Sequence, residues 1–258
     1  MSASPKKKPT QDSNKDPLRE FYRESFVRNP DHKESLKSRK TALLCIDIQY
    51  LDAADGYGVF ADTRTSGIPK TGRRYYFTSL REWVLPNVAR LQKSFRERDL
   101  EVIHCRIQAL TKDGRDRSAG HKRLNLLAAP GSKEAEFLEE VAPVDDEIII
   151  NKTASGVFSS TNLHYVLTNL GIKSLCVVGV YTNECVETTV RDACDLGYHV
   201  TLVEDACTTQ TADLHEASIK TLRDRYCRII DTDHVIDDLE TTLPLEVVKE
   251  KVVEKTAG

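Results

Sequence analysis

The chain has 258 residues, of which 40% are hydrophobic and 30% charged, and its formal net charge is -3. This length suits one α/β domain, and so small a charge gives no electrostatic basis for binding nucleic acid or a membrane surface. No apolar run approaches the roughly 20 residues of a membrane span, and the amino terminus lacks the apolar core of a secretory signal.

The seven cysteines are scattered, and several lie in apolar, strand-like runs. This distribution argues against a disulfide framework and predicts a reducing, cytoplasmic environment. No CxxC pair or Cys/His cluster has the spacing of a metal site, and neither a GxGxxG nor a GxxxxGK[ST] motif is present. We therefore expect no metal and no cofactor, and a small molecule as the partner.

The amino-terminal region is predicted to be an addition to the main domain. Residues 1–15 are polar and are predicted to be a disordered tail, in which Lys6-Lys7-Lys8 is either a localisation signal or simply solvated. Asp16-Pro17 is typical of a helix start, so residues 16–40 are predicted to form a helix and a linker. The main domain is placed at residues 41–238, and residues 239–258 are predicted to be a tail or helix.

Six apolar runs in the main domain predict buried strands, and amphipathic segments between them predict helices. This alternation indicates an α/β fold, a doubly wound, mostly parallel six-stranded sheet with helices on both faces, in a single domain with an extra N-terminal helix. The predicted strands are Thr41–Ile48, Leu100–Ile107, Glu147–Asn151, Leu175–Val178, Tyr198–Val203 and Cys227–Ile230. The predicted helices are Tyr75–Arg98, Glu134–Glu140, Asn162–Leu170, one starting at Cys185, and Ala212–Arg225.

Two polar loops interrupt this pattern. Residues 50–72 are long enough to cover a site. Residues 111–130 are rich in Lys and Arg. Their positive charge either faces an anionic or carbonyl-rich substrate or is merely solvated.

Three chemically matched side chains lie at or just past the carboxyl ends of different predicted strands: Asp47, Lys152 and Cys185. In a doubly wound sheet these ends share one edge, where ligands bind. A carboxylate can take the thiol proton, and an ammonium can hold the carboxylate and favour the thiolate. These three residues are therefore candidate catalytic groups.

Cys185 is predicted to lie in the first turn of a helix. Gly179 is expected to end the preceding strand, and Thr182-Asn183-Glu184 to cap the helix, whose amino end would lower the thiol pKa. The alternative is a small buried cysteine that only packs. No histidine has a context that demands pairing with Cys185; His215 stays a further candidate, or a hydrogen-bonding group near a helix start.

Three segments resemble the isochorismatase-like cysteine hydrolases, a family that includes nicotinamidases, N-carbamoylsarcosine amidase, ureidoacrylate amidohydrolase and biuret hydrolase. They are ALLCIDIQ around Asp47, NKTASGVFSSTNL around Lys152, and GVYTNECVETTVRDACDLGYHVTLVEDAC around Cys185. The resemblance runs from about Thr41 to Asp233, so residues 41–238 are expected to be a hydrolase domain of this family.

The resemblance implies an Asp47-Lys152-Cys185 triad and a cis peptide at Val180-Tyr181. It also implies an oxyanion hole built from the backbone N–H groups of Tyr181 and Cys185, and a thioester intermediate. A homo-oligomer, dimer or tetramer, is expected as well.

The family's nicotinamidases bind a metal through an Asp-x-His motif and a further His after the catalytic Asp. Residues 51–73 contain no histidine, so no metal ligand is assigned and nicotinamide is disfavoured as substrate. With Cys185 present, we expect cleavage of a C–N bond in a small amide, ureido or carbamoyl compound. The alternatives are an isochorismatase-type vinyl-ether hydrolase and a catalytically silent member that acts as a binding protein.

Five residues are candidates for substrate binding, each with a simpler explanation. Arg106 ends the second strand and is equally suited to an ion pair on the surface, while Asn183 is as well explained by capping a helix. The full set is Tyr50, Phe60, Arg106, Asn183 and Gln210, of which Tyr50 and Phe60 wall the pocket or belong to the core.

Overall fold

The computed structural model describes residues 20–24, 36, 38–61 and 67–245. Residues 20–24 are helical, inside the segment predicted to carry an N-terminal helix. The predicted tail at residues 1–15 and the last part of the predicted C-terminal segment, residues 246–258, lie outside the described residues. Within the described part of the chain, no helix is long and apolar enough to cross a membrane.

The described strands form one six-stranded sheet in the order β3-β2-β1-β4-β5-β6. All neighbouring strands are parallel, which confirms the predicted doubly wound α/β fold. The direction of winding reverses between β1 and β4, and such a reversal opens a crevice at the carboxyl ends of the strands. The strands are β1 Thr41–Ile46, β2 Glu101–Ile107, β3 Ile148–Lys152, β4 Ser174–Val180, β5 His199–Thr208 and β6 Arg228–Ile230.

Helices lie between the strands along the chain, and the last helix follows β6. α1 is Tyr50–Ala53, and α2 joins Lys70–Ser79, a π-helical turn at Leu80–Val84, and Leu85–Arg96. α6 opens with a π-helical turn at Thr182–Val186 and continues as Glu187–Asp195. The others are α3 Ala119–Arg123, α4 Val157–Ser160, α5 Leu163–Asn169, α7 Ala212–Leu222 and α8 Thr232–Thr242, and 3-10 turns occur at Gly58–Phe60, Lys133–Ala135 and Glu139–Val141.

The sheet is buried on both faces, which is why its strands are continuous apolar runs in the sequence rather than alternating ones. Alternate residues of β1 show the two layers. Leu43 and Cys45 pack in the cluster that includes residues of α2 and α8. Leu44 and Ile46 pack in the cluster that includes residues of α5, α6 and α7.

Gly179 does not end its strand as expected, since β4 continues to Val180. Its φ is +123, and a Cβ at this position would overlap the backbone oxygen of Ile46. The pairing of β4 with β5 also shifts register between Val177 and Gly179. Glycine is therefore used here to let two strands approach within the sheet.

The prediction of a helix over Glu134–Glu140 is wrong. Two 3-10 turns replace it, and between them Phe137 forms an antiparallel bridge with Gln49. The Leu138 N–H donates to the Ile48 carbonyl at 3.1 Å. A long-range contact with the segment after β1 has overridden the local helical pattern.

Other boundaries differ from expectation where partners are distant in sequence. The predicted loop 50–72 contains α1, and α2 begins at Lys70 rather than Tyr75. α8 runs across the expected domain end at residue 238, and its Leu239 is fully buried.

Candidate active site

Asp47 follows β1 directly and is fully buried. Its φ of 53 places it in the left-handed region, which Asp tolerates better than most residues. The Asp47 N–H donates to the Cys105 carbonyl of β2 at 2.9 Å, which fixes the backbone at the sheet edge. Desolvation raises the pKa of the Asp47 carboxyl, although Lys152 and Cys185 oppose the shift.

Lys152 is the last residue of β3 and is also fully buried. Its Nζ lies 2.8 Å from Asp47 Oδ2, 3.3 Å from Cys185 Sγ and 3.0 Å from the Ala154 carbonyl oxygen. Three acceptors match the three N–H groups of an ammonium. Burial opposes the charge on Lys152, but the nearby Asp47 and Cys185 outweigh it and raise the Lys152 pKa.

The contact between Lys152 and Asp47 is a buried ion pair. Neither oxygen of the Asp47 carboxylate has a hydrogen-bond partner of good geometry among the described residues. The carboxylate therefore retains the capacity to accept a proton.

Cys185 lies in the π-helical turn that opens α6, and only 3% of it is exposed. The carbonyl of Tyr181 accepts from the N–H groups of Glu184 at 3.1 Å and Val186 at 3.3 Å, which holds the turn. The peptide bond between Val180 and Tyr181 is cis.

Two expectations about this turn are wrong. No side chain caps the helix; Asn183 Oδ1 instead accepts from Thr209 Oγ1 at 2.5 Å. The thiol pKa of Cys185 is not lowered, because desolvation raises it well above its ordinary value and the opposing effect of Lys152 is smaller. The resting group is a thiol beside a carboxylate and an ammonium, so its proton must leave as it reacts.

The candidate substrate-binding residues separate into two groups and one core residue. Asn183 and Gln210 come together at Thr209, whose Oγ1 lies 2.6 Å from Gln210 Oε1. Phe60 is 1% exposed and stacks on Tyr76 with ring centroids 5.0 Å apart, so it belongs to the core.

Arg106 and Tyr50 lie against the segment of 3-10 turns. Arg106 donates to the Ala135 carbonyl at 2.8 Å and to Asn151 Oδ1 at 2.7 Å. The ring of Tyr50 lies 3.9 Å from the Nζ of Lys133. Both side chains are thus engaged with neighbouring protein groups.

His215, in α7, places its Nδ1 2.9 Å from Thr182 Oγ1 in the turn before Cys185. Burial lowers its pKa, so it is neutral near pH 7. The hydrogen-bonding alternative for this residue is therefore the one that the geometry matches.

A hydrogen-bonded group of Tyr76, Tyr181 and Asp52 beside the cis peptide was not predicted from the sequence. The hydroxyls of Tyr76 and Tyr181 both donate to the backbone carbonyl of Asp52, at 2.7 and 3.0 Å. Asp52 is 3% exposed, and its Oδ2 has no hydrogen-bond partner among the described residues. The available signal in the sequence was a carboxylate five residues after Asp47. It was not recognised because residues 50–72 were predicted to be a loop, whereas Asp52 lies in α1.

Gln49 and His121 were also missed. Gln49 Oε1 accepts from the Ile107 N–H at 2.6 Å, and its Nε2 donates to the carbonyls of Ile107 and Glu134 at 2.9 and 2.8 Å. His121 is buried in α3, and burial, then Lys152 and Arg117, lower its pKa to about 4. Among the described residues, no group of three or more His, Cys, Asp or Glu could hold a metal ion.

A family model, the isochorismatase domain, matches residues 41–234. The chain belongs to the isochorismatase family. Its described core is therefore an isochorismatase-like hydrolase fold, as the sequence motifs implied.

Individual proteins of known sequence or structure are similar to this chain at low sequence identity. A probable inactive nicotinamidase of Arabidopsis thaliana is 32% identical over 188 residues, 70% of this chain and 87% of the relative. The ureidoacrylate amidohydrolase RutB of Acinetobacter baylyi is 31% identical over 115 residues, 44% of this chain and 47% of that enzyme. A cysteine hydrolase from Pseudomonas syringae pv. phaseolicola superimposes with a TM-score of 0.64 at 23% identity, over 79% of this chain and 94% of the other.

Proposed function

We propose that this hydrolase cleaves a C–N bond of a small amide, ureido or carbamoyl compound, with Cys185 as the nucleophile. The observation that carries the proposal is the position of Lys152 Nζ, 2.8 Å from Asp47 Oδ2 and 3.3 Å from Cys185 Sγ in a fully buried cluster. A thiol, a carboxylate and a charged amine held together suit attack on a carbonyl. The similarity to a ureidoacrylate amidohydrolase supports the substrate class.

In the first step, Asp47 takes the proton of Cys185 while Sγ bonds to the substrate carbonyl carbon, and the C=O π pair moves to oxygen. Burial raises the Asp47 pKa, which makes the carboxylate a stronger base. Lys152 stays charged and offsets the negative charge that moves between Asp47 and Cys185.

The oxyanion is assigned to the backbone N–H groups of Tyr181 and Cys185. Such donors stabilise the transition state by about 3–4 kcal/mol each in comparable enzymes. Collapse of the intermediate breaks the C–N bond, Asp47 returns its proton to the leaving nitrogen, and a thioester on Cys185 remains.

Water then completes the cycle. Asp47 takes a proton from a water molecule while the water oxygen attacks the thioester carbonyl carbon. Collapse of the resulting intermediate breaks the C–S bond, and Asp47 returns the proton to the Cys185 sulfur. The products are an acid and ammonia or an amine.

A panel of simple amides, ureido compounds and biuret-like compounds, assayed for ammonia release, tests this function. We expect at least one class to be turned over, with loss of turnover in Cys185→Ala and Asp47→Asn. Cys194→Ala, which removes a half-buried thiol from the same helix, should retain activity. Failure of the whole panel, or undiminished activity in Cys185→Ala, would refute the proposal.

A further inference from the structure

Two buried tyrosine hydroxyls donate to one backbone carbonyl. The hydroxyl of Tyr76, in α2, lies 2.7 Å from the Asp52 carbonyl oxygen, and the hydroxyl of Tyr181 lies 3.0 Å from the same atom. A carbonyl oxygen has two lone pairs, so these two donors fill it. We call Tyr76 and Tyr181 the tyrosine pair; the steps of the proposed reaction make no use of either side chain.

The shared acceptor belongs to the segment that follows the proposed base. Asp52 is buried in α1, five residues after Asp47. This helix has only one turn, and a carbonyl near the end of a helix has no further N–H of that helix from which to accept. The tyrosine pair therefore satisfies a buried carbonyl that α1 leaves open, and it ties α1 both to α2 and to the chain that leaves β4.

Tyr181 connects this carbonyl to the turn of the proposed nucleophile. It directly follows β4, and its own carbonyl accepts from the N–H groups of Glu184 and Val186, the neighbours of Cys185, at 3.1 and 3.3 Å. The Asp52 carbonyl thus fixes the side chain of Tyr181, while the backbone of Tyr181 holds the turn. A shift of its hydroxyl would be passed on to its backbone, including the N–H group assigned to the oxyanion.

Tyr76 is a rigid donor because it is fully buried in an aromatic cluster. Its ring stacks on Phe60 with centroids 5.0 Å apart, and it lies 5.1 Å from the ring of Phe77 and 5.3 Å from that of Tyr181. Close packing of this kind holds a side chain in one conformation. The Tyr76 hydroxyl therefore sets the position of the Asp52 carbonyl that Tyr181 binds.

We propose that Tyr76 is a positioning residue for the reaction: it fixes the Asp52 carbonyl, and through it the Tyr181 backbone and the Cys185 turn. The inference rests on the proposed function. In this role neither hydroxyl of the tyrosine pair has to touch the substrate. Their effect is on catalysis, because oxyanion donors that are already oriented stabilise the transition state without having to reorganise.

Acetyl transfer from p-nitrophenyl acetate tests this role in the full chain, since it requires the nucleophile and the oxyanion donors but no particular amide. Cys185 Sγ bonds to the acetyl carbonyl carbon as the thiol proton passes to Asp47, and collapse of the intermediate breaks the C–O bond and expels p-nitrophenolate. Release of p-nitrophenolate, corrected for the release by Cys185→Ala, gives the rate constant. Peptide mass spectrometry locates the acetyl group.

Tyr76→Phe and Tyr181→Phe each remove one oxygen atom and keep the ring. We expect each to lower the acetylation rate constant about 10-fold, less than the roughly 100-fold or more that follows complete loss of an oxyanion donor. Because Tyr76 acts through the carbonyl that Tyr181 binds, the double variant should be no slower than Tyr181→Phe. Tyr165→Phe, which removes a hydroxyl from a residue of α5 that is 69% exposed, should match the wild type.

A change in stability alone would not produce this pattern. Urea unfolding establishes that each variant is folded under the assay conditions, where lower stability by itself leaves the rate of the folded enzyme unchanged. For any amide of the panel that the wild type hydrolyses, kcat should fall in both single variants while KM stays unchanged, since the oxyanion donors act on the transition state.

Wild-type rates in Tyr76→Phe, or losses that multiply in the double variant, would overturn the positioning role and leave the proposed hydrolase activity standing. Absence of acetyl-Cys185 in the wild type would instead refute the proposed nucleophile, and the positioning role with it.

Discussion

Lys152 offers a direct test at the scale of single residues, because its buried ammonium faces Asp47, Cys185 and a backbone carbonyl at once. We expect Lys152→Met to lower the free energy of unfolding by about 3–5 kcal/mol, since Asp47 would stay buried without its counter-charge. Turnover should fall at least about 100-fold. Urea unfolding and steady-state kinetics measure both effects.

Lys220→Met is the matched control for that substitution. It removes an exposed ammonium, paired with Glu216 at 3.7 Å, and exposed pairs contribute little. Equal stability of the two variants would contradict the role assigned to Lys152.

The raised pKa of Asp52 predicts a specific dependence of the protein's stability on pH. Desolvation, then Asp47, raises its pKa in the folded protein. The stability that it contributes is fully present below the unfolded-state pKa of about 4 and is lost as pH rises from there through the folded-state pKa. Asp52→Asn should remove this loss, so its free energy of unfolding should decline less with rising pH than that of the wild type, by up to about 1.4 kcal/mol per pH unit.

Urea titrations at several pH values between about 4 and about 8 cover this window. Asp195→Asn, which removes an exposed carboxyl, should follow the wild type. Parallel curves for Asp52→Asn and the wild type would show that Asp52 is ionised in the folded protein throughout.

Some site residues were predictable from sequence and others were not, for a physical reason. Asp47, Lys152 and Cys185 follow apolar runs, so the parallel-sheet rule alone placed them at one edge. Asp52 and Tyr76 were not identified, because their roles depend on a shared hydrogen-bonded carbonyl and on Tyr181, 129 residues from Asp52. Burial also reversed the expected direction of the Cys185 pKa shift.

At the scale of elements, Gly179 lets β4 pass close to β1 in a backbone conformation that alanine resists. Gly197→Ala is a matched control, because Gly197 has a φ of +87 but nothing within 4 Å of its Cβ position. There alanine adds only backbone strain, about 1–2 kcal/mol. We expect Gly179→Ala to destabilise the protein more than Gly197→Ala in urea unfolding, and to reduce turnover because the strand leads into the Cys185 turn. Equal losses of stability in the two variants would show that β4 and β1 can move apart to accommodate the added methyl group.

The elements that were hardest to predict from the sequence are those with distant polar partners. β5 extends past Val203 to Thr208 although Glu204 and Asp205 interrupt its apolar run. Asp205 accepts from the N–H and hydroxyl of Thr232, at 2.9 and 2.8 Å. Such partners satisfy a carboxylate inside a strand, and no local pattern reveals them.

At the scale of the whole molecule, the reversal of winding between β1 and β4 is what assembles the site. Asp47 follows β1, the turn that carries Cys185 follows β4, and Lys152 ends β3, two strands from β1 in the sheet. Apolar runs and their spacing predicted a doubly wound, mostly parallel sheet, whereas the strand order and the position of the reversal come from the structure.

Intact-mass spectrometry of acid-quenched protein during turnover tests the central claim, nucleophilic catalysis by Cys185, most directly. We expect the wild type and Cys194→Ala to gain the mass of the substrate's acyl fragment, and Cys185→Ala to gain nothing. An adduct on another cysteine, or turnover by Cys185→Ala at the wild-type rate, would contradict it.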